Sequence, residues 1–330
     1  MIDPNPYFAA PVRDPASPAD IALLDQGSRR GKSSSLTVII CTRDRCAALA
    51  RSLVSVERAI AGIAEDQVEV IIVDDGSRDA TTSVMTDWFE RTKSKGLALT
   101  RQRSGLAASR NAALRYAVND VVVMIDDDCH MAPDYLQQVV ALITDDRVDT
   151  IRGGRILLGS PEDLAITIKT STESATLVPG MRPGGFIMGA NLVFPRRLLN
   201  RIGYFDERFG AGGRYLSAED TDFFYRASLC GLPVIYEPLL IVEHFHGRRY
   251  DHERKQLFHG YAIGNGAFYA KHLFRNADAA RQMYFQLRNV LQRLPHLREE
   301  RADFMINITE LVGNLTGMTK FAVDHLLKRA

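Results

Sequence analysis

Three consecutive aspartates, Asp126, Asp127 and Asp128, follow directly on the apolar run VVVMI. Adjacent carboxylates raise one another's pKa and cost stability unless a cation compensates them. Aspartate runs are often solvated turns. Here the preceding run reads as a strand buried on both faces, so the cluster falls at the rim of a sheet, where open α/β sheets bind ligands. A second pair, Asp74 and Asp75, ends the run VEVIIV and is read either as a turn before the next helix or as a ligand contact. A third acidic group, Glu219, Asp220 and Asp222 in SAEDTDFFYR, fits a helix N-terminus with Ser217 as N-cap. A carboxylate held there is also suited to accept a proton, whereas Asp222 is expected to face solvent. His244 and His246 stand two apart at the end of an apolar strand and are expected on one face of it.

Elements with two periods must position these groups. LTVIICT, VEVIIVD, LALTRQ and DVVVMIDDD read as strands, and the segments after the first three carry apolar residues at helical spacing. Asp79 is the expected N-cap of the second helix. Strands alternating with helices predict βαβ crossovers and a mostly parallel, Rossmann-like sheet with helices on both faces. From residue 151 the pattern changes to short strands and glycine turns around the helix AEDTDFFYRASLCG. Residues 250–330 are mainly helical by pattern, with a break at Pro295. The expected division is a flexible arm at 1–35, an α/β domain at 36–249 and a helical extension at 250–330.

Composition narrows the function classes. The chain has 330 residues, 46% hydrophobic and 25% charged, which are ordinary globular values. A net charge of +1 gives no electrostatic argument for nucleic acid. The four cysteines form no CxxC pair and no zinc spacing, so reduced thiols are expected. The N-terminus lacks the apolar core of a signal peptide, and no stretch reaches the length of a membrane span. Gly31-Lys32-Ser33 lacks the glycine five residues earlier that a phosphate loop needs. The absence of GxGxxG after the first strand argues against a dinucleotide dehydrogenase, and the ending of that strand in CTRDR, where an aspartate phosphatase would usually carry its nucleophile, weakens that alternative too.

Six segments taken in order, VIICTRDR, VIIVDDGSRD, GLAASRNAAL, MIDDDC, MGANLVFPRRLLNRIGYFDERF and SAEDTDFFYRASLCG, resemble the successive signatures of the family-2 nucleotide-sugar glycosyltransferases with a GT-A fold. The resemblance covers about residues 36–250 and departs at CTRDR, where the family more often has an aromatic-Asn pair after the threonine. It implies an inverting enzyme that moves one sugar from a nucleotide-sugar donor to a hydroxyl acceptor on a glycan or lipid-linked saccharide. It also implies a divalent cation, Mn2+ or Mg2+, on Asp126 and Asp128, with a downstream histidine, His244 in preference to His246, completing the site. Strand alternation would then turn Asp126 and Asp128 one way and Asp127 the other. By the same resemblance Thr42, Asp74, Arg110, Asp126, Asp127, Gly189 and Asn191 line the nucleotide sugar. Asp220 is the general base and Glu219 its helper. Asp74 favours a UDP-sugar, with a dTDP-sugar next. Arg248 and Arg249 are candidate diphosphate contacts. Polysaccharide or glycoconjugate biosynthesis at the cytoplasmic side is the expected setting. The C-terminal helices are expected to pack on the domain or form a dimer contact, or else to touch the membrane peripherally. A catalytically silent sugar-nucleotide-binding protein is the alternative. A hydrolase is disfavoured, since no acid and nucleophile pair of carboxylates is evident.

Overall fold

The computed structural model of the chain describes residues 21–26, 36–64, 67–92, 94–144, 148–273, 280–281, 284, 288 and 301–327. Among these, the strands are β1 (Ile21–Gln26), β2 (Leu36–Thr42), β3 (Val68–Asp74), β4 (Gly96–Arg101), β5 (Val121–Asp126), β6 (Cys129–Met131), β7 (Ile151–Leu158), β8 (Ala175–Thr176), β9 (Asn191–Pro195) and β10 (Val234–His244). The helices are α1 (Cys46–Ile60), α2 (Thr81–Thr92), α3 (Leu106–Tyr116), α4 (Tyr135–Thr144), α5 (Leu199–Ile202), α6 (Glu219–Leu229), α7 (Asp251–His272) and α8 (Arg301–Leu327). The strands form one sheet in the order β1-β4-β3-β2-β5-β9-β7-β10-β6, with β8 against β10.

The β4-β3-β2-β5 half is parallel, as is the β7–β10 pair, while β9 runs antiparallel between β5 and β7. Side-chain alternation divides the core into two layers. Val38, Ile40, Val70 and Ile72 pack with Leu53 of α1, Trp88 of α2 and Leu136 of α4. Ile39, Ile71 and Val73 point the other way, onto Leu114 of α3 and Phe223 and Phe224 of α6. Burial on both faces is why these strands read as unbroken apolar runs, each such side chain contributing about 1.5–3 kcal/mol when fully buried. All four cysteines are free thiols.

Two readings need correction or limit. Ile21–Gln26, expected in a flexible arm, lies antiparallel on β4 as an edge strand. Its IALLDQ carries too little apolar pattern to announce a strand without its neighbour. The expected break at Pro295 lies outside the described residues. No helix among the described residues is long and apolar enough to cross a membrane. A third cluster, with Tyr225 of α6, Phe209 and Tyr215 against Ala267, Phe268 and Tyr269 of α7, joins the C-terminal helices to the sheet domain.

Candidate active site

The site grows from the carboxyl ends of three parallel strands. In-register pairing sets Thr42 beside Asp74 and Cys41 beside Asp126. β5 stops at Asp126, and Asp127 and Asp128 make the tight turn into β6, which pairs Cys129 with His244 of β10. The period of two therefore ends before the second aspartate, and the expected alternation does not hold. Asp126 turns to Arg110 at 3.1 Å, while Asp127 and Asp128 both turn to Arg45 at the start of α1, at 3.1 and 2.7 Å. Thr42 Oγ1 donates to Asp127 Oδ2 at 2.7 Å, so the threonine orients the middle aspartate.

These carboxylates are compensated by protein cations that sequence separation conceals. Burial opposes ionisation of Asp128, but the hydrogen bond and charge of His244, with Arg45, hold its pKa well below the usual carboxylate range. For Asp127 burial wins over the pull of Arg45 and pushes its carboxyl up to about 7. His244 Nε2 lies 3.3 Å from Asp128 Oδ1, and its other ring nitrogen, Nδ1, lies 3.3 Å from the Thr167 carbonyl. Without a cation, Nε2–H donates to Asp128; a divalent cation would replace that proton, with Nδ1–H donated to the Thr167 carbonyl fixing the ring as is typical of histidine ligands. Ligand atoms of Asp128, Cys129 and His244 all lie within 4.8 Å of one another. Burial pushes the Cys129 thiol well above its ordinary pKa, so a hard cation would rest on the carboxylate and the imidazole. The residues fit a divalent cation on Asp128 and His244.

His246 is not brought to that point. Its Nδ1 accepts from the Arg248 amide at 3.0 Å and its Nε2 donates to the Leu164 carbonyl at 2.9 Å. Neither ring nitrogen remains for a metal. β10 ends at His244, so the face-sharing rule expires one residue before Phe245. Arg249, a candidate diphosphate contact, pairs instead with Glu162 at 2.6 Å and Asp163 at 3.5 Å.

Arg110 is the centre of the second half. It is buried, donating from Nη1 to Glu219 at 2.9 Å and from Nη2 to Asp126 at 3.1 Å. Reading it as a group that reaches the base or phosphates is thus replaced by a strut between two carboxylates. Gly189 permits this placement, since a Cβ there would lie 2.7 Å from both terminal guanidinium nitrogens. The Gly189 amide donates to Asp220 Oδ2 at 2.7 Å, and the Thr221 amide to Asp220 Oδ1 at 2.6 Å. Asp220 is thereby held at the first turn of α6 beside Glu219, whose carboxyl burial and the Asp220 charge raise to about 7 against the pull of Arg110.

Several expected roles change. Ser217 does not cap α6; the N-cap is Ala218 in the left-handed region at φ 70°, and Ser217 Oγ donates to the Gly260 carbonyl of α7 at 3.2 Å. Asp222 is fully buried rather than solvated, because α7 covers the face of α6 that the isolated pattern leaves to water. It meets Arg226 at 2.9 Å, Lys271 at 2.8 Å and His272 at 2.9 Å. Asn191, expected at the donor sugar, is buried within the sheet, donating to the Arg155 and Leu240 carbonyls and accepting from Tyr135 at 2.6 Å. Asp74 keeps its strand-end position, and both of its oxygens accept local hydrogen bonds, from Ser77 and Thr82. Asp75 holds the Ser104 and Gly105 amides at 2.8 and 2.9 Å, fixing the loop that starts α3. Asp79 accepts from Thr81 at the start of α2, as expected of a cap.

Arg45 and Lys271 were not identified as site or supporting residues by sequence reasoning. The signal for Arg45 was available: a cation at a helix N-terminus opposes the helix dipole and implies an acidic partner elsewhere. Lys271 carries no such mark, because its partners Asp206 and Asp222 are remote in the chain.

A family model described as glycosyl transferase family 2 matches residues 37–226. Among curated proteins, the chain is 27% identical over 138 residues to validoxylamine A glucosyltransferase of Streptomyces hygroscopicus subsp. limoneus, covering 42% of this chain and 30% of that one. It is 26% identical over 220 residues to pre-mycofactocin glycosyltransferase of Mycobacterium tuberculosis, covering 64% and 43%. The chain thus spans less than half the length of these relatives. Among solved structures, it superposes on the mannosyltransferase PcManGT from Pyrobaculum calidifontis, in complex with GDP-Man and Mn2+, with a TM-score of 0.58 and 17% identity over 87% of this chain and 88% of that one. On S. aureus TarS in complex with UDP-GlcNAc the TM-score is 0.50 with 17% identity, over 88% and 92%.

Proposed function

The chain belongs to glycosyl transferase family 2 with a GT-A fold, and from that premise we propose that it is an inverting, metal-dependent enzyme transferring one sugar from a nucleotide-sugar donor to a hydroxyl acceptor. The observation that carries this reading is the Arg110 bridge. One guanidinium ties Asp126, at the strand end, to Glu219, next to Asp220. Two carboxylate centres, one suited to a diphosphate and its cation and one suited to a proton, therefore stand at one sheet edge.

The chemistry follows from these positions. The acceptor oxygen attacks the anomeric carbon, its proton passes to Asp220, and the anomeric carbon–oxygen bond to the diphosphate breaks with its electron pair on the leaving group. A single base without a second catalytic carboxylate corresponds to one displacement and inverted configuration. Asp128 and His244 would hold a divalent cation, which supplies positive charge for the leaving diphosphate. The hydrogen bonds from the Gly189 and Thr221 amides fix the Asp220 carboxylate in one orientation, which limits the reorganisation that proton transfer requires. Asp74, Thr42 and Asp127 belong to the donor side, with a UDP-sugar favoured, and Mn2+ or Mg2+ as the cation. The PcManGT complex with GDP-Man and Mn2+ agrees with a nucleotide-sugar and metal site on this fold. A glycan or lipid-linked acceptor, a role in polysaccharide or glycoconjugate assembly and a domain boundary near residue 249 are parts of the same proposal.

Asp220→Asn tests it. The variant keeps the side-chain shape and loses the basic oxygen, so donor and Mn2+ binding, measured by calorimetry, should match wild type. Transfer should fall by about 10²–10⁴-fold, the range of general-base catalysis. Turnover above about a tenth of wild type lies outside that range and would remove Asp220 as base.

A further inference from the structure

We infer that Arg45 is a built-in counter-ion on the carboxylates of the metal site, and that a divalent cation binding Asp128 competes with it for the charge of that carboxylate. The inference rests on the metal reading above and goes beyond it, because it assigns the control of metal affinity to a residue outside the ligand set. Three observations on Arg45 support it. Its guanidinium holds Asp128 Oδ2 at 2.7 Å and Asp127 Oδ1 at 3.1 Å, so it draws on the charge of the same carboxylate whose other oxygen, Oδ1, faces His244. Its side chain is 37% exposed while those of Asp127 and Asp128 are 5% and 4% exposed, so it lies on the solvent side of both. It stands at the N-cap position of α1 without a side-chain cap hydrogen bond, where the helix dipole disfavours a cation.

The third point makes the contact conditional. At the positive end of α1, Arg45 is kept inward by the two carboxylates alone, among the contacts described. A divalent ion on Asp128 Oδ1, beside His244, weakens that attraction and adds repulsion at short range. The long, partly exposed side chain then turns outward, where the charged groups it can pair with are those of a ligand. A diphosphate suits its planar fork. Metal and nucleotide binding are therefore coupled through one side chain: the cation releases Arg45, and the diphosphate supplies the anion that receives it. Linkage makes this reciprocal, so nucleotide also tightens metal.

The test is Mn2+ affinity, read from the electron paramagnetic resonance of free Mn2+ with the full-length chain, with and without UDP. Arg45→Gln removes the competing charge and should bind Mn2+ at least about tenfold more tightly than wild type without nucleotide. The tightening of Mn2+ by UDP should shrink in the same variant. Arg45→Lys keeps a cation and should stay close to wild type, which separates charge from the loss of a side chain. Equal or weaker Mn2+ binding by Arg45→Gln, in a protein with wild-type circular dichroism, overturns the inference. Asp128→Asn made alone and in the Arg45→Gln background identifies which statement fails. If Mn2+ binding survives Asp128→Asn, the metal assignment is wrong; if it is lost there but Arg45→Gln changes nothing, only the counter-ion role is wrong.

Discussion

Arg110 serves three carboxylates at once, touching Glu219 and Asp126 and lying close enough to Asp220 to feel its charge. One positive charge does not neutralise three negative ones, and the cost appears at the most buried of them. Burial first, then Asp220, raises the Glu219 carboxyl to about 7 from an ordinary value of 4.5. A folded-state pKa above the unfolded value means that the native protein binds the extra proton between about 4.5 and 7. The stability tied to that proton is fully present below the lower value and is lost as pH rises through the upper one. Glu219→Gln has no such proton to lose. Its stability relative to wild type should rise by about 3 kcal/mol, at 1.36 kcal/mol per pKa unit, from pH 4 to pH 8. Urea unfolding of both proteins at four pH values checks this. A difference that is flat with pH would show that Arg110 keeps Glu219 ionised throughout.

At the scale of the element, α6 is held on the side away from the sheet by charge as well as by apolar packing. Asp222 accepts from Arg226 within the helix and from Lys271 and His272 of α7, and Lys271 also reaches Asp206 at 2.8 Å. Burial opposes ionisation of Asp222, but Lys271 and Arg226 outweigh it and hold its pKa well below the usual range. Removing one member of such a set leaves buried charges without a partner. Asp222→Ala should destabilise the fold by about 3–5 kcal/mol, the range for breaking a buried pair. Asp220→Asn, two residues away and only partly buried, should change stability by less than about 1 kcal/mol. Equilibrium unfolding of the two variants reads the contrast. Similar small losses in both would mean that the Asp222 network is solvated in solution.

The whole molecule depends on how closely α7 and α8 approach. A Cβ on Gly317 would lie 1.9 Å from the Ile263 carbonyl oxygen, so the two backbones meet where α8 has no side chain. Gly317→Val must push the helices apart, and overpacking of this kind costs about 1–3 kcal/mol. Hydrogen exchange should quicken in α7 and α8 before it changes in β2, β3 and β5, because the sheet core draws on separate clusters. Uniform acceleration across the chain would show instead that the helices and the sheet unfold as one unit. The exposed Val312, Leu315, Val323, Leu326 and Leu327 of α8 lie on surface that this packing leaves uncovered.

Local chemistry explains why much of this was legible in advance. Residues 38–41 and 70–73 are unbroken apolar runs, and the two-sided burial that this implies needs no knowledge of their partners. Asp79 as a cap, Asp126 and Asp74 at strand ends and the acidic start of α6 all follow from neighbours within a few residues. The readings that changed depend on contacts across long stretches of chain. Asp222 is buried because α7, some fifty residues on, covers it. Asn191 and His246 turn to carbonyls on other strands and loops. Arg45 finds Asp128 across 83 residues. Period and capping are properties of a segment, so the sequence alone carries them. Which cation answers which carboxylate is decided by the order of strands in the sheet and by where each strand stops, and only the tertiary structure holds that information.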